Sequence, residues 1–233
     1  MSEIDSGYPD GFFERGDPAS DAIFYRPPRL VTHIDDAAIV AVSELYAELG
    51  IDGSSREHRR VLDLMSSWVS HLRVAPDELV VLGMNASELD ANSMATERIV
   101  QDLNADPVLP FGDESFDAVL CCVSIDYLVR PVEVLREAAR VLRPGGQVVI
   151  TFSNRCFPTK AVRGWLETDD EGRGAIVLDY LRRVGAFDEA HLSLRTPAAR
   201  EYRGDPLYSV TARRAVAEQS RTPGQRPPES TLD

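Results

Sequence analysis

The chain has 233 residues, of which 43% are hydrophobic and 27% are charged. This balance is typical of one folded domain and excludes a fibrous or wholly disordered protein. The formal net charge of -13 disfavours a nucleic-acid partner, because an acidic surface repels the phosphate backbone. No segment approaches the roughly 20 apolar residues that a membrane-spanning helix needs, so we expect no membrane partner.

The cysteines and the first residues indicate a compartment. Three cysteines cannot all pair, and Cys121 and Cys122 are neighbours within an apolar run, a usage that fits a reducing environment. Residues 1–10 are polar and acidic, without the basic start and apolar stretch of a signal peptide. We therefore expect a cytoplasmic protein.

The composition of both chain ends predicts tails, and the segment after the first tail predicts a helix. Glycine, proline and acidic residues are frequent in residues 1–20, which predicts a flexible N-terminal tail, and residues 217–233 predict a disordered C-terminal tail. Asp35 or Asp36 can cap a helix whose apolar residues recur at helical spacing, with Gly50 at its end. Residues 21–54 therefore form an N-terminal arm and helix, which is a candidate lid.

Short apolar runs then alternate with helical segments. The sequence predicts strands over residues 61–65, 79–82, 98–101, 118–123 and 147–152. It predicts helices over residues 87–97, 131–142 and 174–184, the second beginning at Pro131 and stopped by Pro144-Gly-Gly. Residues 190–196 and 207–213 alternate as two further strands around a loop.

This alternation predicts an α/β fold. Crossover connections favour a doubly wound, mostly parallel seven-stranded sheet with helices on both faces. The last two strands are expected to form an antiparallel terminal hairpin at the sheet edge. Residues 55–216 make up this domain.

Two motifs stand at a separation seen in a known enzyme family. They are Leu109-Pro-Phe-Gly-Asp-Glu-Ser-Phe-Asp-Ala-Val-Leu and Val141-Leu-Arg-Pro-Gly-Gly-Gln-Val-Val-Ile. With the preceding Gln101-Asp-Leu-Asn, they resemble the second half of class I S-adenosylmethionine-dependent methyltransferases of the type 11 group. The similarity covers about residues 55–155. It implies a Rossmann-like methyltransferase fold, S-adenosyl-L-methionine as the cofactor, and contact between Asp102 and the adenine amino group.

Side chains at successive strand ends form the predicted cofactor site. In a doubly wound sheet, ligands bind beyond the carboxyl ends of the strands, and a cofactor with an amine, ribose hydroxyls and an adenine needs a polar group for each. The candidate cofactor-binding residues are Asp63, Met65, Ser66, Ser67, Asn85, Asp102, Leu103 and Cys122.

Two positions depart from the family pattern. The loop after the first strand is rich in glycine in the family but reads Met65-Ser-Ser-Trp here, so we hypothesise that the hydroxyls of Ser66 and Ser67 bind the cofactor's carboxylate. The acidic residue that ends the second strand in the family is Asn85 here, which predicts weaker ribose binding unless Glu88 assists. The chain lacks a Gly-x-Gly-x-x-Gly loop, so a dinucleotide is a poorer interpretation.

Residues that could bind the methyl acceptor or take part in the reaction follow the fourth and fifth predicted strands. Asp126 or Tyr127 could orient or deprotonate a substrate; the alternative is that Asp126 caps a helix and Tyr127 is a packed ring. Asn154, Arg155 and Lys160 could hold an anionic acceptor, although surface ion pairs explain the two cations as well.

The arm carries further candidates. Tyr25, Arg29 and His33 join apolar with basic character, so we predict that they line a lid over the substrate; the alternative is an arm clamped on the sheet. The four histidines show no metal-ligand spacing, and we expect no metal. Cys121 and Cys122 are interpreted as small strand residues rather than nucleophiles.

These observations predict a methyltransferase that moves a methyl group from S-adenosyl-L-methionine to a small-molecule acceptor. The alternatives are a methyltransferase-like fold that binds this cofactor or another ligand as a regulatory module, and a non-methylating enzyme in the same cleft. The sequence names neither the acceptor nor the oligomeric state.

Overall fold

The computed structural model describes residues 7–54, 57–198 and 202–216, and within them seven strands form one sheet. Two strands are antiparallel to each other and form the terminal hairpin. The order across the sheet is β3-β2-β1-β4-β5-β7-β6, which confirms the predicted doubly wound arrangement. The strands are β1 (Arg60–Leu64), β2 (Glu78–Gly83), β3 (Glu97–Val100), β4 (Phe116–Cys122), β5 (Leu142–Phe152), β6 (His191–Leu194) and β7 (Tyr208–Arg213).

Helices cover both faces of the sheet. Leu135 and Tyr180 bring α4 and α6 into one core, and Tyr46 and Leu89 bring α2 and α3 into the other. None of the helices in the described ranges is long and apolar enough to cross a bilayer. The helices are α1 (Asp21–Phe24), α2 (Asp36–Glu48), α3 (Ala86–Ala91), α4 (Pro131–Val141), α5 (Arg163–Leu166) and α6 (Asp170–Val184).

Helix ends follow local hydrogen bonds. Asp35 caps α2 as predicted, since its side chain accepts from Ala38 N at 2.9 Å. The helix α3 ends at Ala91 instead of Glu97, because the Asn92 side chain accepts from the amide of Met94 at 3.2 Å and so favours a turn. The helix α4 ends at Val141, and the Pro-Gly-Gly segment becomes the irregular start of β5.

The predicted N-terminal tail is in large part packed against the domain. Residues 1–6 lie outside the described residues, as does the predicted C-terminal tail over residues 217–233. Phe12 and Glu14, by contrast, accept hydrogen bonds from the amides of Gly164 and Arg163. The Tyr8 hydroxyl donates to Asp179 at 2.6 Å. Composition predicted flexibility here, but the aromatic side chains among the glycines pack on α5 and α6.

A buried ion cluster fastens the beginning of the arm. Lys160 is fully buried, and its ammonium lies 3.1 Å from Asp17 and 3.2 Å from Asp21. It also donates to the carbonyl of Ala19 at 2.8 Å. Asp21 is 3% exposed and pairs with Arg15 at 2.7 Å as well. Lys160 therefore holds the arm, which corrects its assignment as a substrate-binding residue at the rim.

Replacement of Lys160 by alanine should strongly destabilise the protein. Removing one partner of a buried ion pair leaves a charge without compensation and lowers the free energy of unfolding by about 3 kcal/mol or more. Urea unfolding followed by circular dichroism measures the change. Arg73→Ala is the control, because its ion pair with Glu44 is about half exposed on both sides and should contribute less than about 1 kcal/mol. Equal effects of the two substitutions would contradict the anchoring role of Lys160.

Candidate active site

A cavity of about 490 Å³ lies at the carboxyl ends of β1, β2, β3 and β4, beneath the N-terminal arm. This is the edge of a doubly wound sheet at which ligands bind. All eight predicted cofactor-binding residues line it, and so do six of the other candidates. Those six are Tyr25, Arg29, His33, Tyr127, Asn154 and Arg155. Asp126 and Lys160 do not line it.

The loop after β1 keeps a glycine-like backbone without a glycine. Met65 has a φ of 53°, in the left-handed region that side chains other than glycine rarely adopt. The loop is held by its neighbours, since Ser66 N donates to Leu82 O at 2.8 Å. A Cβ atom on Gly83 would lie only 2.2 Å from the carbonyl oxygen of Ser66. Close packing against β2 therefore stabilises the strained residue.

The two loop serines donate their hydroxyl hydrogens to protein carboxylates. Ser66 Oγ donates to Asp63 and Ser67 Oγ donates to Glu88, both at 2.6 Å. A hydroxyl has one hydrogen to donate, so in this arrangement neither serine offers it to a cofactor carboxylate. Ser66 and Ser67 thus connect the loop to Asp63 and Glu88, and their hydroxyls would have to turn away from these carboxylates to donate to a cofactor.

Asp63 is a buried acid next to the cavity. Its side chain is 3% exposed, and desolvation raises its pKa to about 6, against the opposing effect of hydrogen bonds from Ser66 and Ser70. Cys122 also lines the cavity, and burial raises the pKa of its thiol to about 12. The thiol therefore stays protonated at neutral pH, which fits a strand residue rather than a nucleophile.

Asn85 has no hydrogen-bonding group left for a ligand. Its side-chain oxygen accepts from the amides of Ser87 and Glu88 at 3.0 and 3.2 Å. Its side-chain nitrogen donates to the carbonyls of Tyr25 and Arg26 at 2.9 and 3.1 Å. An amide offers two acceptor and two donor positions, so all four are used. Asn85 lines the cavity but serves as a helix cap and an attachment for the arm.

The turn after β3 presents Asp102 to the cavity. One carboxylate oxygen of Asp102 accepts from the amides of Asn104 and Ala105 at 2.9 and 3.3 Å, and Leu103 is buried beside it. The Asn104 side chain donates to Asp21 and to the carbonyl of Tyr127, both at 2.9 Å. The turn therefore connects the arm to the segment after β4.

The arm and the segment after β5 together form an aromatic wall with one guanidinium. The Arg29 guanidinium lies 4.5 Å from the ring centre of Phe24 and 5.5 Å from that of Phe157. The His33 ring packs edge-on against Phe157 at 5.1 Å. Burial lowers the pKa of His33, against an opposing effect of the Glu88 carboxylate, so the imidazole is neutral at pH 7. Tyr25 completes the wall.

The remaining candidate residues differ in whether they face the cavity, the protein interior or solvent. Tyr127 lines the cavity, and its hydroxyl accepts from the amide of Phe157 at 2.9 Å, while burial raises its pKa well above the usual range. Asp126 faces the interior: it is 3% exposed, and its Oδ2 atom has no hydrogen-bond partner among the described residues. Arg155 is 63% exposed and lies 3.8 Å from Asp205, as the surface-pair alternative predicted.

Sequence reasoning left several cavity-lining residues out of its site. Trp68 lines the cavity and donates from its ring nitrogen to the carbonyl of Val31 at 3.1 Å. Asn104 and Phe157 line it too, as does Glu88, considered only as an assistant to Asn85. Asn104 directly follows Leu103 in the quoted motif, so the motif itself was a usable signal. Phe157 gave none, because its position depends on how the chain folds back after β5.

The strain at Met65 can be measured with a pair of substitutions. A left-handed backbone costs an L residue about 1 kcal/mol or more relative to glycine. Met65→Gly should therefore be more stable than Met65→Ala by roughly 1 kcal/mol, as measured by urea unfolding. In the last turn of α2, Ala47→Gly should instead lower stability, by about 1 kcal/mol or less. An alanine as stable as glycine at position 65 would argue against the left-handed backbone.

The buried carboxyl of Asp126 predicts a pH dependence. Desolvation raises its pKa from 3.8 to about 8, so the folded state keeps a proton that the unfolded state releases. The free energy of unfolding therefore falls as pH rises between about 4 and about 8, by on the order of 5 kcal/mol. Urea unfolding across this range should show wild type losing stability relative to Asp126→Asn. A constant difference between the two proteins would contradict a neutral buried acid.

Comparison with known proteins agrees with this geometry. A family profile for the methyltransferase domain matches residues 68–150. The demethylmenaquinone methyltransferase of Mycobacterium sp. (strain KMS) is 37% identical over 125 residues, which cover 50% of this chain and 51% of that protein. The methyltransferase GfsG of Streptomyces halstedii is 26% identical over 211 residues, or 86% of this chain and 69% of that protein. The chain thus spans about half the length of the mycobacterial relative.

The fold has a counterpart among solved structures. The cyclase SpnF superposes with a TM-score of 0.57 and 19% identity, over 82% of this chain and 89% of that one. Identity at this level shows a shared fold and nothing about the reaction. The chain thus has a Rossmann-like methyltransferase fold, and its residues 68–150 are similar to the methyltransferase domain family.

Proposed function

We propose that this protein binds S-adenosyl-L-methionine in the cavity and transfers the methyl group to a small-molecule acceptor. The observation that carries the proposal is the cavity at the strand ends, where Asp63, Asp102 and the loop after β1 lie together. Relatives that match parts of the chain are named methyltransferases of menaquinone and ubiquinone biosynthesis, which supports this class of reaction.

The residues present fit the cofactor. Asp102 keeps one carboxylate oxygen beyond the turn that it caps, and this oxygen suits the adenine amino group, with buried Leu103 beside the ring. Asp63 and the loop at Met65 would lie next to the methionine part. When bound, the cofactor supplies an electrophilic methyl group on a sulfonium.

The arm and the cavity wall facing it suit a planar acceptor with a hydroxyl group. Tyr25, Tyr127 and Phe157 offer ring faces and edges in the cavity, which favours flat aromatic compounds. The neutral imidazole of His33 can take the proton of the hydroxyl, and the guanidinium of Arg29 can stabilise the oxygen anion. We therefore propose that the arm acts as a lid and that the acceptor is a quinol or similar phenolic compound.

A second candidate function is a non-methylating enzyme or a binding module in the same cavity. The side chain of Met65 at a position that is glycine in the family favours it, because bulk there alters the path of a ligand. Binding of the cofactor without methyl transfer to any phenolic acceptor would select this alternative. A cytoplasmic location is part of the proposal and is supported by the three unpaired thiols.

Calorimetric titration with S-adenosylhomocysteine tests the cofactor site. Asp102→Ala should weaken binding about tenfold or more, because a hydrogen bond to a charged group is lost. Asp106→Ala is the matched control: Asp106 also caps a turn, accepting from Val108 N at 3.1 Å, but it is exposed and does not line the cavity. Its affinity should equal that of wild type.

Transfer itself is measured with radiolabelled S-adenosylmethionine and 1,4-naphthoquinol as the acceptor. The labelled methyl group is expected on the quinol, and His33→Ala should slow its appearance. Absence of S-adenosylhomocysteine binding by the wild-type protein would refute the proposed function.

A further inference from the structure

Asn85 lies two residues after the end of β2 and caps α3, whereas Glu88 lies in the first turn of α3; the two residues differ in what they can still bind. As described above, all four hydrogen-bonding positions of Asn85 are used, two for the cap of α3 and two for the arm. A ligand could engage Asn85 only by displacing either Ser87 and Glu88 or the arm. A carboxylate at this position could make the cap but could not donate to the carbonyls of Tyr25 and Arg26. The amide is therefore what allows this residue to hold the arm.

Glu88 is placed differently, because it has capacity left for a ligand. It lies three residues after Asn85 on the same side of α3, is 9% exposed and lines the cavity. One of its oxygens accepts from Arg29 N at 2.7 Å and the other from Ser67 Oγ at 2.6 Å. Each carboxylate oxygen can accept about two hydrogen bonds. Each oxygen of Glu88 therefore keeps one position beside the cavity.

A carboxylate with one open position on each oxygen suits two adjacent hydroxyl groups. The ribose of S-adenosylmethionine carries such a pair. We infer that Glu88 binds the two ribose hydroxyls of the cofactor, while Asn85 fastens the arm that covers them. This inference rests on the proposed function. It also connects cofactor and lid, because Glu88 accepts a backbone hydrogen bond from the arm at Arg29.

The ribose contact is tested by combining a protein change with a ligand change. S-adenosylhomocysteine and its 2′-deoxy analogue are titrated into wild type, Glu88→Gln and the control Asp90→Asn, which removes an exposed carboxylate from the same helix. Glu88→Gln should weaken S-adenosylhomocysteine binding by about tenfold to a hundredfold. It should weaken binding of the analogue much less, since one of the two contacts is already absent there. The control should bind both ligands as wild type does.

The outcomes separate this inference from the proposed function. If wild type does not bind S-adenosylhomocysteine, the proposed function fails and the inference fails with it. If wild type binds but Glu88→Gln binds equally well, or loses the same factor for both ligands, only the inference is overturned. Thermal unfolding of each variant establishes that the compared proteins are folded at the temperature of titration.

The attachment of the arm is tested without any cofactor. Asn85→Asp keeps the acceptor atoms that cap α3 but places a carboxylate against two carbonyls. The arm should therefore open more often, and trypsin should cleave after Arg29 several times faster than in wild type or in Asp90→Asn. Cleavage at the wild-type rate would overturn the role of Asn85.

Discussion

Burial of the sheet on both faces is the constraint on which the rest of this structure depends. β1 and β4 pack apolar side chains against helices above and below, so polar groups are tolerated only where a strand ends or where a partner reaches them. Asp63 shows the limit of this rule. It lies within β1, and its carboxyl is tolerated because Ser66 donates to it and because its raised pKa lowers the cost of protonating it at neutral pH. The cavity lies where this constraint is relaxed.

That constraint also explains why so much could be predicted from the sequence. Continuous apolar runs such as residues 79–82 identify buried strands, and Asp35 identifies the start of α2 by its own chemistry. Once the strands are placed, topology alone directs their carboxyl ends to one edge. For this reason residues as far apart as Asp63 and Asp102 were placed together correctly without any knowledge of distances.

What the sequence could not provide are contacts between distant segments that depend on packing. The aromatic residue Phe12 stands among glycines and acids, so composition favoured a tail, yet α5 lies beside it in space. Lys160 has the residue type of a substrate-binding cation, and only its neighbours Asp17 and Asp21 reveal a buried anchor. The sequence showed that Asn85 stands where the family has an acidic residue. It could not show that Asn85 donates to two backbone carbonyls about sixty residues earlier in the chain.

The backbone at Met65 has a consequence for how such proteins are recognised. The family profile matches from residue 68 onward, just after the loop that follows β1. In the family this loop is usually rich in glycine, and the glycines help to identify the fold. Yet the torsion angle that a glycine would permit is retained there by a methionine. At this position the main chain thus follows a left-handed path although the residue is not a glycine. A search pattern that requires a glycine at this position would therefore pass over this chain, although its backbone here is glycine-like.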